Sequence, residues 1–100
     1  MLHKEFRDGR CIVEFTLPET ITAVEGRVFL IGDFNAWDRA ATPMTLDRHL
    51  YRARLELAIN REYQYLYVVD GETYNDWHAD KYVPNPYRGD NSIVITSPID

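Results

Sequence analysis

Asp76, His78 and Asp80 stand at alternate positions of the stretch DWHAD. In an extended segment that spacing puts all three side chains on one side. Two carboxylates and an imidazole so arranged could bind a metal ion, or act as the paired acid and base that cleave a glycosidic bond. No fourth ligand is near in sequence: His3 and His49 lie far off without patterned partners, and Cys11 is the single cysteine. A carboxylic acid tuned for catalysis also needs a water-poor cleft, which is hard to build on 100 residues. The expectation is therefore solvated turn chemistry, with Asp76 and Asp80 ordering local backbone N–H groups. No catalytic residue, metal or cofactor is expected.

A second chemistry belongs to the aromatic rings outside the regular apolar runs: Trp37, Tyr74, Trp77, Tyr82 and Tyr87, all among polar turn residues. A sugar ring offers an apolar C–H face and a rim of hydroxyls. A flat exposed indole can take the face while Asn, Asp or Gln pairs with the rim. The competing role for each ring is to cap an open end of the core. Trp37, in VFLIGDFNAWD, is the leading platform candidate, because a second large aromatic three residues after Phe34, inside a polar turn, needs a reason beyond packing.

Other chemistries find no motif. The chain has no Walker loop, G-x-G-x-x-G, Cys-x-x-Cys or G-x-S-x-G. Arg88-Gly89-Asp90 reads as a turn before the last strand, with Gly89 supplying its geometry. A net charge of -5 without a basic cluster argues against nucleic acid. No apolar run is long enough to cross a bilayer, and MLHKEFRDG lacks the apolar core of a secretory signal, so a cytoplasmic location is expected. Cys11 falls within an apolar alternation and is expected to be a buried small hydrophobe.

The elements that must hold these residues are strands. Cys11, Val13, Phe15 and Leu17 alternate with Ile12, Glu14 and Thr16, and Pro18 closes the run. Arg27 to Ile31 is a second strand, apolar on both faces. LYRARLELAI puts Tyr51, Ala53, Leu55 and Leu57 opposite Arg52, Arg54 and Glu56. In REYQYLYVVDG, Tyr63, Tyr65, Tyr67 and Val69 share one face, with Leu66 and Val68 on the other, and NSIVIT is the last strand. Asp8-Gly9 and Asp70-Gly71 signal tight turns. AATPMTLDRH reads as a loop, and WHADKY as a short helical turn. Five to seven strands joined mostly by tight turns predict one all-β domain over residues 1–100, a two-layer sandwich.

Central sandwich strands normally keep one polar face. Leu66 and Val68, together with a strand apolar on both faces, Val28 and Leu30 against Phe29 and Ile31, therefore predict that part of the outer surface is covered. Either the segment from Trp77 to Tyr87 lies over it, or a second copy of the chain packs there.

Taken together, VFLIGDFNAWD, YQYLYVVDG and NDWHADKYVPNPYRGDNSIVIT resemble the early-set, immunoglobulin-like domain at the front of isoamylases and glycogen branching enzymes. The same domain is carbohydrate-binding module family 48, the glycogen-binding module of the AMP-activated protein kinase beta subunit. The resemblance covers about residues 26–96. It implies an immunoglobulin-like (E-set) two-sheet β-sandwich that binds alpha-1,4-glucan without catalysis. Glycogen-binding members stack glucose on two tryptophans, helped by a lysine and an asparagine. The first tryptophan resembles Trp37 and the asparagine Asn91. The lysine position falls on Leu66 and the second tryptophan near Thr73, so Tyr74 or Trp77 would have to supply the second platform. The carbohydrate-binding residues implied are Trp37, Tyr74, Trp77 and Asn91. The alternative implied is a protein-interaction or self-association module with sugar binding lost. In that reading Leu66 and Val68 form the interaction surface, and the partner is a second copy or a separate glucan-metabolising enzyme.

Overall fold

Alternating apolar and charged residues suit a pleated ribbon with one dry face, and tight Asp-Gly turns let such ribbons pair. The computed structural model describes residues 1–21, 26–85 and 89–98. Within them lie nine strands: β1 (Leu2–Arg7), β2 (Arg10–Pro18), β3 (Val28–Gly32), β4 (Thr45–Asp47), β5 (Leu50–Ala58), β6 (Glu62–Val69), β7 (Glu72–Tyr74), β8 (Lys81–Pro84) and β9 (Asp90–Ile95). Every pairing between them is antiparallel. One sheet runs β1-β2-β5-β4; the other runs β3-β6-β9-β8, with β7 added to β6. This is the all-β, two-sheet sandwich that the alternation predicts, in an arrangement consistent with an immunoglobulin-like fold.

Both Asp-Gly turns form as read. Asp8 and Gly9 take φ of 50° and 75°, and Asp70 and Gly71 take 49° and 90°, the left-handed pair that a two-residue hairpin requires. Two readings are corrected. AATPMTLDRH is not wholly a loop, because Thr45–Asp47 pairs with β5 through a turn at Arg48 and His49. WHADKY is not helical: Trp77 and His78 form a turn, and Lys81–Pro84 is an edge strand of the second sheet. Pro84 is tolerated there because an edge position needs no donor.

The core lies between the sheets. Cys11, Val13, Phe15 and Leu17 of β2 meet Tyr65, Tyr67 and Val69 of β6, with Val28, Leu30 and Val94 beside them. Phe15 packs edge-on against Tyr65 at 5.1 Å between ring centres, and Tyr65 does the same to Tyr67 at 5.8 Å. Such edge-to-face pairs add to the area term because the positive ring edge meets the negative ring face.

A tyrosine ring can be buried only if its hydroxyl finds a partner. Asp76 is that partner. Its Oδ2 accepts from Tyr65 at 2.8 Å and from Tyr67 at 2.9 Å, and its Oδ1 accepts from the backbone N–H of His78 at 2.9 Å. The α-ammonium of Met1 lies 2.8 Å from both oxygens. Asp76 does order a local N–H as expected, but it is 1% exposed and so is not in a solvated turn. Burial by itself would raise its pKa. The Met1 ammonium, the His78 amide and the Tyr65 hydroxyl outweigh burial and hold the carboxyl below its ordinary value.

The free side of β3 is closed by the chain itself. Leu30 N–H donates to Thr42 O at 2.9 Å, Met44 N–H donates to Val28 O at 2.8 Å, and Pro43 bridges to Phe29 between them.

Candidate functional site

β3 ends where its backbone comes closest to β6. A Cβ on Gly32 would lie 2.4 Å from the Gln64 carbonyl oxygen, so only glycine fits. Four side chains then order the turn that follows. Asp33 Oδ2 accepts from Gln64 N–H at 2.8 Å, and its Oδ1 accepts from the Trp37 indole N–H at 3.1 Å. Phe34 turns inward against Phe15 at 5.6 Å. Asn35 accepts from Gly32 N–H at 3.0 Å and donates to Leu30 O at 2.9 Å. Arg39 donates to Gly71 O at 2.7 Å, tying the turn to the hairpin after β6.

This turn holds Ala36 and Trp37 at φ of 57° and 59°. Left-handed backbone is unusual for alanine and more so for a bulky aromatic, and it persists only where surrounding bonds enforce it. The result is an indole laid against the outer face of the second sheet, half-buried, on Ile31, Leu66 and Val68.

Beside it runs an open groove of about 940 Å³, lined by Trp37, Asp33, Arg39, Gln64, Leu66, Thr73, Asn85 and Asn91, among others. Strand parity explains the membership. Gln64 and Leu66 share the outer face of β6, and Thr73 pairs with Val68. Asn91 follows β9 onto the same side. Its amide nitrogen donates to Gln64 Oε1 at 3.0 Å and its oxygen accepts from Asn85 at 3.0 Å. A relay of three amides therefore crosses the groove floor, facing an indole and a leucine. That pairing of flat apolar surface with neutral donors and acceptors suits a ring that is apolar on its face and hydroxylated on its rim.

Trp37 and Asn91 thus come together on one groove. Asn91 is only 7% exposed, with both ends of its amide paired, so it orients Gln64 and Asn85 more than it meets a ligand. Tyr74 and Trp77 do not join them. Tyr74 pairs with Tyr67, whose side chain faces the core, and Tyr74 and Trp77 line a separate groove at the end of the sandwich. Leu66 and Val68 are 8% and 3% exposed within the single chain. Within the chain Phe29 and Trp37 pack against them, and Asn85, from the segment Trp77 to Tyr87, lines the groove beside Leu66. Tyr87 and Arg88 lie outside the described residues. Gly89 has the φ of 74° expected of its turn.

Asp33, Gln64, Asn85 and Arg39 were not singled out from the sequence. Gln64 was within reach, since it stands two residues from Leu66 on the outer face of the same strand. Asp33 follows the strand by one residue and precedes Trp37 by four, a spacing that one tight turn closes. Arg39 depends on a contact distant in sequence, with Gly71, while Asn85 bonds Asn91 six residues further on.

Asp76, His78 and Asp80 do not converge. Asp76 points into the core, His78 is exposed, and Asp80 pairs with Lys4 and accepts from Ile95 N–H at 2.7 Å. Among the described residues no group of three or more His, Cys, Asp or Glu side chains is placed to hold a metal ion.

Residues 25–87, more than half the chain, match the family model of carbohydrate-binding module 48, the isoamylase N-terminal domain. Among curated proteins none matches the chain.

Proposed function

This chain belongs to the carbohydrate-binding module 48 family, whose domains are non-catalytic, and from that premise we propose that it holds alpha-1,4-glucan in the groove beside Trp37. The glucan is a glycogen- or starch-like polymer, and a separate glucan-metabolising enzyme is the natural partner. One observation carries the reading. The turn from Gly32 to Trp37 is clamped by Asp33, Asn35 and Arg39 into a left-handed backbone whose product is an indole facing a row of amides. Core packing alone does not require that geometry, because Phe34 already supplies the aromatic that closes the core at this point.

The Leu66 and Thr73 positions narrow the site without closing it. Both line the groove, where Leu66 extends the apolar floor under a sugar face and Thr73 offers a hydroxyl at its margin. Asp33 and Arg39 also line the groove but are engaged with Trp37, Gln64 and Gly71, so recognition rests on stacking and amide hydrogen bonds, and retention should depend weakly on salt.

Affinity electrophoresis in glycogen, amylose and an unrelated beta-glucan tests the assignment. Trp37→Leu keeps apolar cover over Leu66 and Val68 but removes the flat platform. Its melting temperature should stay within a few degrees of the parent's, while glycogen and amylose retention fall at least about tenfold, roughly 1.4 kcal/mol. A folded Trp37→Leu variant retained by glycogen as strongly as the parent would remove the basis of the proposal.

A further inference from the structure

The second groove, about 280 Å³, lies across β7 from the first: Thr73 lines one, and Tyr74 and Asn75 line the other. At its rim stands Trp77, 78% exposed. An indole left in water forgoes the burial that most tryptophans achieve, so its surroundings should account for it. They hold it out. Asp76 N–H donates to Ser92 Oγ at 2.9 Å, Asp76 O accepts from the Tyr82 hydroxyl, and His78 N–H donates to Asp76 Oδ1 at 2.9 Å. The backbone on both sides of Trp77 is therefore anchored in the interior. Ser92 also donates to Asn75 Oδ1 at 2.8 Å, which leaves the Asn75 amide nitrogen as that side chain's donor at the groove. The exposed His78 ring adds a second polar group beside the indole.

A fixed, bare indole over a narrow groove, with an amide donor and an imidazole at its edge, repeats the chemistry of the Trp37 groove on another side of the molecule. We propose that Trp77, Tyr74, Asn75 and His78 form a second carbohydrate site, independent of the first, which makes the module bivalent toward a branched glucan. The inference rests on the carbohydrate-binding reading of the Trp37 groove for its ligand class. An amide donor and an imidazole beside a stacking ring favour a sugar here over a protein, whose contact would need a wider apolar surface than a groove of about 280 Å³ lined by Leu17, Pro18 and Ile21 provides. Two weak sites on one rigid body raise retention by a polymer without raising affinity for a short oligosaccharide.

The chain has two tryptophans, so each site carries its own indole N–H signal in a proton–nitrogen NMR spectrum. Titration with maltotriose should move both signals, and in Trp37→Leu the Trp77 signal should still move. In glycogen gels Trp77→Ala should lose about tenfold in retention, and the double variant should not be retained. If only the Trp37 signal responds and Trp77→Ala is retained like the parent, the second site is refuted while the first stands. A Trp77 response that vanishes in Trp37→Leu refutes independence. If Trp77→Ala instead abolishes self-association in sedimentation and no sugar moves its signal, the groove is a protein contact and the inference fails. Silence at both indoles refutes both sites.

Discussion

Asp76→Ala is expected to lower folding stability by about 3–5 kcal/mol, because it removes one partner from a buried charged network and leaves the others unpaired. The Tyr65 and Tyr67 hydroxyls would lose their acceptor while remaining in the core, and the Met1 ammonium would lose its counter-charge. Burial pushes both tyrosine pKa values upward, with Asp76 adding to the effect, so the hydroxyls stay protonated and cannot relieve the vacancy by ionising. Urea denaturation followed by intrinsic fluorescence measures the loss. Asp76→Asn, which keeps an acceptor, should fall between the parent and Asp76→Ala. If Asp76→Ala lies within about 1 kcal/mol of the parent, the network is not what holds this end of the sandwich.

The same carboxylate sets an acid limit. Its pKa is lowered in the folded chain, so the stability it contributes is fully present above the unfolded carboxyl's value. That stability is lost as pH falls through the lower, folded value. The parent should therefore weaken below about pH 4, and Asp76→Asn should show a flatter profile over that range. Urea midpoints measured at intervals from neutral pH into that range, for both proteins, check the sign.

Gly32→Ala is the second large effect, at about 3 kcal/mol of destabilisation, the upper part of the usual overpacking range. Its added methyl would lie 2.4 Å from the Gln64 carbonyl and 2.9 Å from both the Phe34 ring and the Tyr65 Cβ. The first of these is backbone, which cannot swing aside as a flexible side chain can. β3 and β6 would have to separate at the Gly32–Tyr65 pair, and the Asp33 bond to Gln64 N–H spans that same point. Glucan retention should fall with stability, because the turn that aims Trp37 starts at this residue. A melting temperature equal to the parent's would mean the strands can part at no cost.

Much of this scaffold could be read from the chain because its strands are one-sided. β2, β5 and β6 show alternation that only a half-buried ribbon satisfies, and the parity separating Tyr65 and Tyr67 from Leu66 and Val68 is visible before any coordinates. β4 escaped because its turn uses Arg48 and His49 at φ of 50° and 70°, residues that carry no turn signal. The pairing of Asp47 with Leu50 imposes the left-handed backbone on them, so tertiary structure overrides local preference. β8 escaped because WHADKY reads as a short helical turn, although an edge strand tolerates the lysine and proline of Lys81–Pro84.

At the site, Trp37 and Asn91 could be placed from motif alone, since both lie on short segments tied to single strands. The separation of Tyr74 and Trp77 from them could not. Thr73 and Tyr74 are neighbours in sequence, but one faces the outer groove and the other the opposite side, and only the register of β7 on β6 decides which. Asp76 was misread for a similar reason. Its burial depends on Met1, Tyr65, Tyr67 and Ser92 converging from three separate segments, the N-terminus, β6 and β9.

The segment that lies along β3 has a consequence for life on a polymer. On the glucan proposed above, many copies would gather at high local density, where an open strand flank would template pairing between neighbours and seed fibrils. Thr42 and Met44 occupy the backbone groups of that flank, and Pro43 sits between them with no N–H to extend the ladder. Crowded copies would thus be denied growth along β3 and would stay separate molecules.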